Sequence, residues 1–224
     1  MTAPTMRRDG ELVVIDFGDG ENRTDPEWVS TMGRLLDEAE GFEGPQVLVT
    51  TASGRHYSNG LDVDHMAGLS SPAEITEYVA AVEGVLSRLL TFPAPTVAAV
   101  NGHAFGAGAF AILAHDHAVM REDRGFVCWP EVHLQMTFSP GLLAMVKDLL
   151  PTRTSREAVL TGRRYSGPDA VAAGFVDRAV PLDELASAAA ELGLPHAPTA
   201  GSNLGTVKRQ FHRRVVELLG PRSA

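Results

Sequence analysis

Two segments of the chain carry residue types suited to holding a negative charge, and a third carries a base. Positions 47–62 read VLVTTASGRHYSNGLD and positions 95–116 read PTVAAVNGHAFGAGAFAILAHD. Each runs from an apolar β-type stretch into a turn of small residues, and the second continues into Ala-rich helix formers. A turn entering a helix leaves backbone N–H groups without partners, and that end of the helix favours negative charge. Two such turns aimed at one point would form a pair of donors for a developing oxyanion. Glu131, in CWPEV, supplies a single carboxylate. Two donors and one base are what removing a proton next to a carbonyl requires.

Other chemistries fit the residues less well. Positions 106–111, GAGAFA, match a G-x-G-x-x-G/A dinucleotide fingerprint, but no strand directly precedes them and no acidic residue stands at a plausible ribose position. Tight helix–strand packing is the plainer reading of those glycines. Ser58 lacks a G-x-S-x-G setting, so a serine hydrolase is disfavoured. His115 and His117 form an H-x-H pair, and no convergent ligand set for a metal is visible. Cys128 reads as a small buried hydrophobe. Asp62 is of a type that more often caps a turn than reacts. The basic residues of the tail, Lys208, Arg209, His212, Arg213 and Arg214, read first as a solvated helix face. Contact with an anionic ligand is the sharper alternative there, as for Arg23 and Arg55.

The elements that must position these groups are legible. Residues 11–17 and 46–51 read as strands. A helix is expected from Asp25-Pro26, with Trp28, Met32, Leu35, Leu36 and Ala39 on one face. Ser71-Pro72-Ala73-Glu74 is a capping box opening a second helix that stops before Pro93. Residues 96–100 read as a strand and 110–114 as part of a helix packed on both sides; 118–120 and 126–129 read as short strands. Helices are expected at 139–150, 155–160 and from Ser166 to the stop at Gly174, with a last strand at 176–180. Strands alternating with helices imply an α/β fold. The chain divides into a core domain at 1–181 and a helical tail at 182–224, the tail ending in an amphipathic helix with Leu204, Val207, Phe211, Val215 and Leu218 on one side.

The chain of 224 residues is 44% hydrophobic and 21% charged, the balance of a globular domain that needs no staples. A net charge of −9 argues against nucleic acid as a partner. One cysteine excludes an internal disulfide. No charged-then-apolar leader and no run of membrane-spanning length is visible, so the cytoplasm is the expected compartment.

Four motifs then converge. They are SNGLD at 58–62, PTVAAVNGHAFGAG at 95–108, RGFVCWPEVHL at 124–134 and, more weakly, LTGRRYSGPDAVAAGFVDRAVP at 160–181. In order and spacing they resemble the crotonase superfamily, the enoyl-CoA hydratase/isomerase family. The resemblance implies a spiral of β-β-α units with a helical C-terminal region, a homotrimer or dimer of trimers, and acyl-CoA thioesters as ligands, coenzyme A being part of the substrate and no separate cofactor. It carries the oxyanion-hole N–H groups onto Leu61 and Ala107, with Ala107 standing where the family has the middle glycine of a triplet. It carries the catalytic carboxylate onto Glu131. Ser58, Asn59, Gly60, Asp62, His103, Gly106 and Phe110 are carried over as the surrounding substrate-binding positions.

Family members that hydrate use two glutamates, and this chain has Phe110 where the first would be. A phenylalanine neither orients water nor accepts its proton. Moving a double bond needs one base only. The expected activity is therefore a Δ3 to Δ2 enoyl-CoA isomerase, the branch that SNGLD and HDHAVMREDRGF at 115–126 also resemble. The alternatives are a hydratase or other crotonase reaction with one glutamate, and a non-catalytic acyl-CoA-binding paralogue. Pro140 comes one residue later after Glu131 than the pattern expects, so the loop shaping the acyl pocket is expected to differ.

Overall fold

The computed structural model describes residues 3–220. β1 (Thr5–Asp9) and β2 (Leu12–Asp16) form an antiparallel hairpin turning at Gly10, where φ is +60°. Only one strand was expected there, at 11–17. β1 escapes a periodicity reading because four of its five residues are exposed; it is an edge strand, and polar residues suit an edge.

Three β-β-α units follow. β3 (Val47–Thr51) and β4 (His56–Ser58) lead into α2 (Val63–Gly68) and α3 (Pro72–Leu90), after α1 (Pro26–Glu40). β5 (Thr96–Val100) and β6 (His103–Phe105) lead into α4 (Ala107–Leu113). β7 (His117–Arg121) and β8 (Val127–Cys128) lead into α5 (Pro140–Leu149), α6 (Thr152–Thr161) and α7 (Gly167–Ala173). β9 (Arg178–Val180) precedes α8 (Leu185–Gly193), α9 (Ser202–Phe211) and α10 (Arg213–Leu219).

In each unit the first strand joins one sheet and the second joins another. The large sheet runs β1-β2-β3-β5-β7-β9, and the small one runs β4-β6-β8, parallel throughout. The small sheet is what matters for the site. Its strands have two or three residues, too few for an alternation to show in sequence. Being parallel neighbours, they bring three C-terminal ends side by side.

The helix signals hold. The Asp25 side chain accepts from Trp28 N with Pro26 at the first position, and the five expected residues of α1 are buried. Each fully buried Leu or Met adds roughly 1.5–3 kcal/mol of apolar burial. At α3, Ser71 and Glu74 exchange both bonds of the capping box. Gly162 and Gly174 end α6 and α7 in the left-handed conformation. α6 begins at Thr152, one turn before the expected start.

The tail corrects one expectation. The expected apolar side of a single helix is not formed, because the chain breaks at His212 between α9 and α10. Phe211 is 82% exposed, and the buried residues are Gly205, Lys208, Val215 and Leu219. Lys208 Nζ donates to Ala94 O at 2.8 Å and pairs with Asp116 Oδ2 at 2.5 Å, so a satisfied cation occupies a place that counting apolar residues assigns to Leu or Phe. α8 lies on the outer face of the large sheet, where Leu185, Ala188 and Ala189 pack with Val47, Val97 and Val119. No helix among the described residues is long and apolar enough to cross a membrane.

Candidate active site

The first turn leaves the end of β4. Ser58 Oγ donates to Asn22 O at 2.7 Å and accepts from Gly60 N at 3.2 Å. Asn59 N donates to Glu21 O at 2.8 Å, and Thr24 N donates to Gly60 O at 2.9 Å. Asp62 caps α2: its Oδ1 accepts from Asp64 N at 3.1 Å and His65 N at 3.2 Å and pairs with Arg23 at 3.2 Å. Burial pushes this carboxyl up, but the bonds from His65 N, Arg23 and Asp64 N outweigh it and hold it below the usual range. Asp62 thus has a capping role. Arg23 is engaged by Glu21, Asp62 and Asp64, which removes it from the free cations.

The second turn leaves the end of β6. Gly106 has φ +50° and ψ −120°; its N–H donates to Cys128 O at 3.0 Å, and its carbonyl accepts from Ala109 N and Phe110 N. Ala107 is the first residue of α4 and is not among the residues with positive φ, so alanine fits where the family has glycine. A side chain on Gly108 would strike Ser58 O, which shows how closely α4 rests on the end of β4.

The two turns touch. Gly60 has φ +80°, and a Cβ there would overlap Phe105 O and lie 3.0 Å from Ala107 N. Among the described residues no hydrogen bond uses the N–H of Leu61 or of Ala107. Gly60→Ala is therefore expected to cost ~1–3 kcal/mol for the left-handed backbone alone, and to part the turns, so that activity falls with melting temperature. An unchanged melt with unchanged activity would refute this.

Glu131 follows β8, the third strand of the small sheet, across Trp129 and Pro130. A Cβ built on Gly106 would lie 3.7 Å from Glu131 Oε1, which places the carboxylate against the second turn. Its Oε2 is buried without a partner. Burial pushes the carboxyl up to about 7, its own backbone N–H opposing in part. His133 anchors the loop through a 2.8 Å bond between Nε2 and Thr161 O, and Met136 N donates to Glu131 O at 3.0 Å.

Phe110 has no exposed surface, and its ring meets the edges of Trp129 and Phe138 at centroid distances of 6.1 and 6.0 Å. His103 is not brought to the turns. It begins β6 where they follow its end, and its ring packs beside His56, Phe105 and Phe126. A hollow of about 340 Å³ there is shared with Arg55 and Arg124. His115 is buried, bonding Thr50 Oγ1 and Ala111 O, and burial lowers it to about 4; His117 instead faces Asp177 and stacks on His196. Cys128 is buried, as expected, with Sγ 3.3 Å from Gly162 O. Sequence reasoning does not find Tyr78, whose hydroxyl reaches the first turn at Asp62 N.

Residues 8–220 match the family model described as enoyl-CoA hydratase/isomerase. The chain is 32% identical over 227 residues to peroxisomal enoyl-CoA delta isomerase 2 of Arabidopsis thaliana, covering 96% of this chain and 95% of the relative. It is 33% identical over 180 residues to enoyl-CoA delta isomerase 3 of the same plant, covering 78% and 76%. Among solved structures, a "probable enoyl-CoA hydratase" from Mycobacterium tuberculosis H37Rv superposes with a TM-score of 0.88 at 25% identity, over 97% of this chain and 92% of that one. With strand ends, turns and carboxylate placed as described, this chain has the crotonase fold and belongs to the enoyl-CoA hydratase/isomerase family.

Proposed function

We propose that this protein is an enoyl-CoA isomerase that moves a double bond of an acyl-CoA thioester from C3 to C2. One observation carries the reading: the carboxylate of the half-buried Glu131, one oxygen of it buried and unpartnered, stands against the turn that bears Ala107, while position 110 offers a ring instead of a second acid. Glu131 takes the proton from C2. The C2–H electrons form a C1–C2 double bond, the π pair of the thioester carbonyl moves onto its oxygen, and the C3–C4 double bond stays in place, so the charge rests on that oxygen as a dienolate. The N–H groups of Leu61 and Ala107 hold that oxygen. Glu131 then returns the proton at C4: the C3–C4 pair takes it, the C1–C2 pair becomes the C2–C3 double bond, and the carbonyl is restored. No water enters the balance.

A base that must give its proton back works best with a pKa near the working pH, and burial supplies that at about 7. The rate should then depend on pH with a definite sign. Below pH 7 Glu131 is increasingly protonated, and kcat/KM for 3-enoyl-CoA is expected to fall about tenfold per unit. Above it the rate levels off. A profile flat from pH 5 to 8 would remove Glu131 as the base.

The direct test supplies 3-enoyl-CoA and 2-enoyl-CoA separately and follows products. Interconversion without a 3-hydroxyacyl product is expected. Hydration of 2-enoyl-CoA as the faster reaction overturns the reading in favour of a hydratase. Binding with neither reaction overturns it in favour of a non-catalytic acyl-CoA-binding protein.

A further inference from the structure

We propose that Tyr78 is a positioning residue for the oxyanion donor at Leu61, a proposal that rests on the isomerase reading above. Tyr78 lies on α3, sixteen positions beyond Asp62, and no motif includes it. Its hydroxyl accepts from Asp62 N at 2.9 Å and donates to Thr24 O at 2.8 Å. The residue is 7% exposed. Its ring packs with Val82 and Ala107, against the partly buried Leu61 and Met66, and meets His65 edge-on at 4.9 Å.

The two bonds act on the geometry of one N–H group. The N–H of Leu61 and the carbonyl of Gly60 share a peptide plane, and in a trans peptide they point in opposite directions. Thr24 N takes Gly60 O, so the Leu61 N–H is directed away from Thr24. Tyr78 holds Thr24 by its carbonyl, and by the same oxygen holds the N–H of the next peptide, Leu61–Asp62. The planes on either side of Leu61 are thereby tied through one hydroxyl, which leaves the Leu61 dihedrals little room. The Asp62 N–H, a donor that would compete for the same anion, is also taken up. Burial raises the Tyr78 phenol above its ordinary value, so it keeps the proton it donates to Thr24.

A tyrosine that merely filled space would be served as well by phenylalanine, and this separates the two roles. In Tyr78→Phe the ring stays and both bonds go. kcat for 3-enoyl-CoA is expected to fall ~10–100-fold, the scale of a misplaced donor. KM should change by less than about threefold, because the ground-state carbonyl gains less from the donor than the dienolate does. The second measurement uses acetoacetyl-CoA, whose enolate is visible in the near ultraviolet. Bound to the unaltered protein it should show an increased enolate fraction, and bound to Tyr78→Phe a smaller one, while butyryl-CoA binds both equally. Unchanged kcat and enolate fraction overturn the proposal. So does a parallel loss of kcat, acetoacetyl-CoA and butyryl-CoA affinity, which marks a purely structural role. Should the variant not fold, 3-fluorotyrosine at position 78 keeps the shape and weakens the acceptor. A several-fold lower kcat with unchanged KM is expected, and an unchanged kcat overturns the proposal. If the unaltered protein neither isomerises 3-enoyl-CoA nor enolises acetoacetyl-CoA, the isomerase reading itself has failed, and the positioning role with it.

Discussion

Glu131→Gln is expected to lower kcat for 3-enoyl-CoA by ~10²–10⁴-fold, with acyl-CoA binding nearly unchanged. The amide keeps the volume and the hydrogen-bonding atoms of the carboxylate but cannot take the proton from C2. Stability provides a second readout of opposite sign. The folded-state pKa of Glu131 is raised to about 7 from 4.5. A carboxyl raised in this way contributes stability that is present below the unfolded value and lost as pH rises through about 7. At pH 8 the unaltered protein holds a charge that burial disfavours, a cost of at most about 3 kcal/mol and less where water reaches one oxygen. The glutamine is neutral throughout. Glu131→Gln should therefore melt higher than the unaltered protein at pH 8 and much like it at pH 4. Loss of activity with a raised melt at pH 8 identifies a base held where charge is disfavoured. Wild-type turnover in the variant would remove Glu131 from the mechanism.

Glu131 is visible in the sequence, and other residues around it are not, for physical reasons. Asp25-Pro26 and Ser71–Glu74 announce α1 and α3 because capping is local: side chain and target N–H lie within three positions. The turns at Gly60 and Gly106 are legible for a similar reason, since their small residues follow apolar strands. The small sheet that aligns them is not. Its longest strand has three residues, and its pairing of His56 with His103 spans just over a fifth of the chain. Lys208 shows another limit. Nothing near it in sequence declares that Asp116 and Ala94 O are waiting, so a buried cation reads as a solvated one. Tyr78 is hidden in the same way: a hydroxyl serving two backbone groups 16 and 54 positions away has no local pattern.

The motif chemistry was legible only as residue types. That Leu61 and Ala107 share a neighbourhood follows from parallel pairing of β4 and β6. That Glu131 joins them follows from β8 pairing on the other side of β6. Ligand sites at the carboxyl ends of parallel strands are a general property of α/β sheets, and the proposed site lies at the ends of three very short ones.

Phe110→Glu is expected to introduce hydration of 2-enoyl-CoA while the isomerase rate falls. Position 110 lies one helical turn beyond Ala107, on the element whose N-terminus meets Glu131 Oε1 through Gly106. A carboxyl there would give the two-acid arrangement that hydration needs, one group to hold a water and one to take its proton. Two acids close together raise one of their pKa values, so at neutral pH the pair should share a proton instead of carrying two charges. The substitution also removes a fully buried ring from the edges of Trp129 and Phe138 and leaves a polar group among them. The combined cost is roughly 3–5 kcal/mol, visible as a lower melting temperature that falls further as pH rises and the new carboxyl is pressed to ionise. Phe110→Leu, which keeps the apolar character, separates the effects: it should lose part of the stability and gain no hydration. If Phe110→Glu folds, binds acyl-CoA and isomerises at the original rate without hydrating, position 110 belongs to the core beneath Trp129. The absence of a second acid would then no longer decide between isomerase and hydratase.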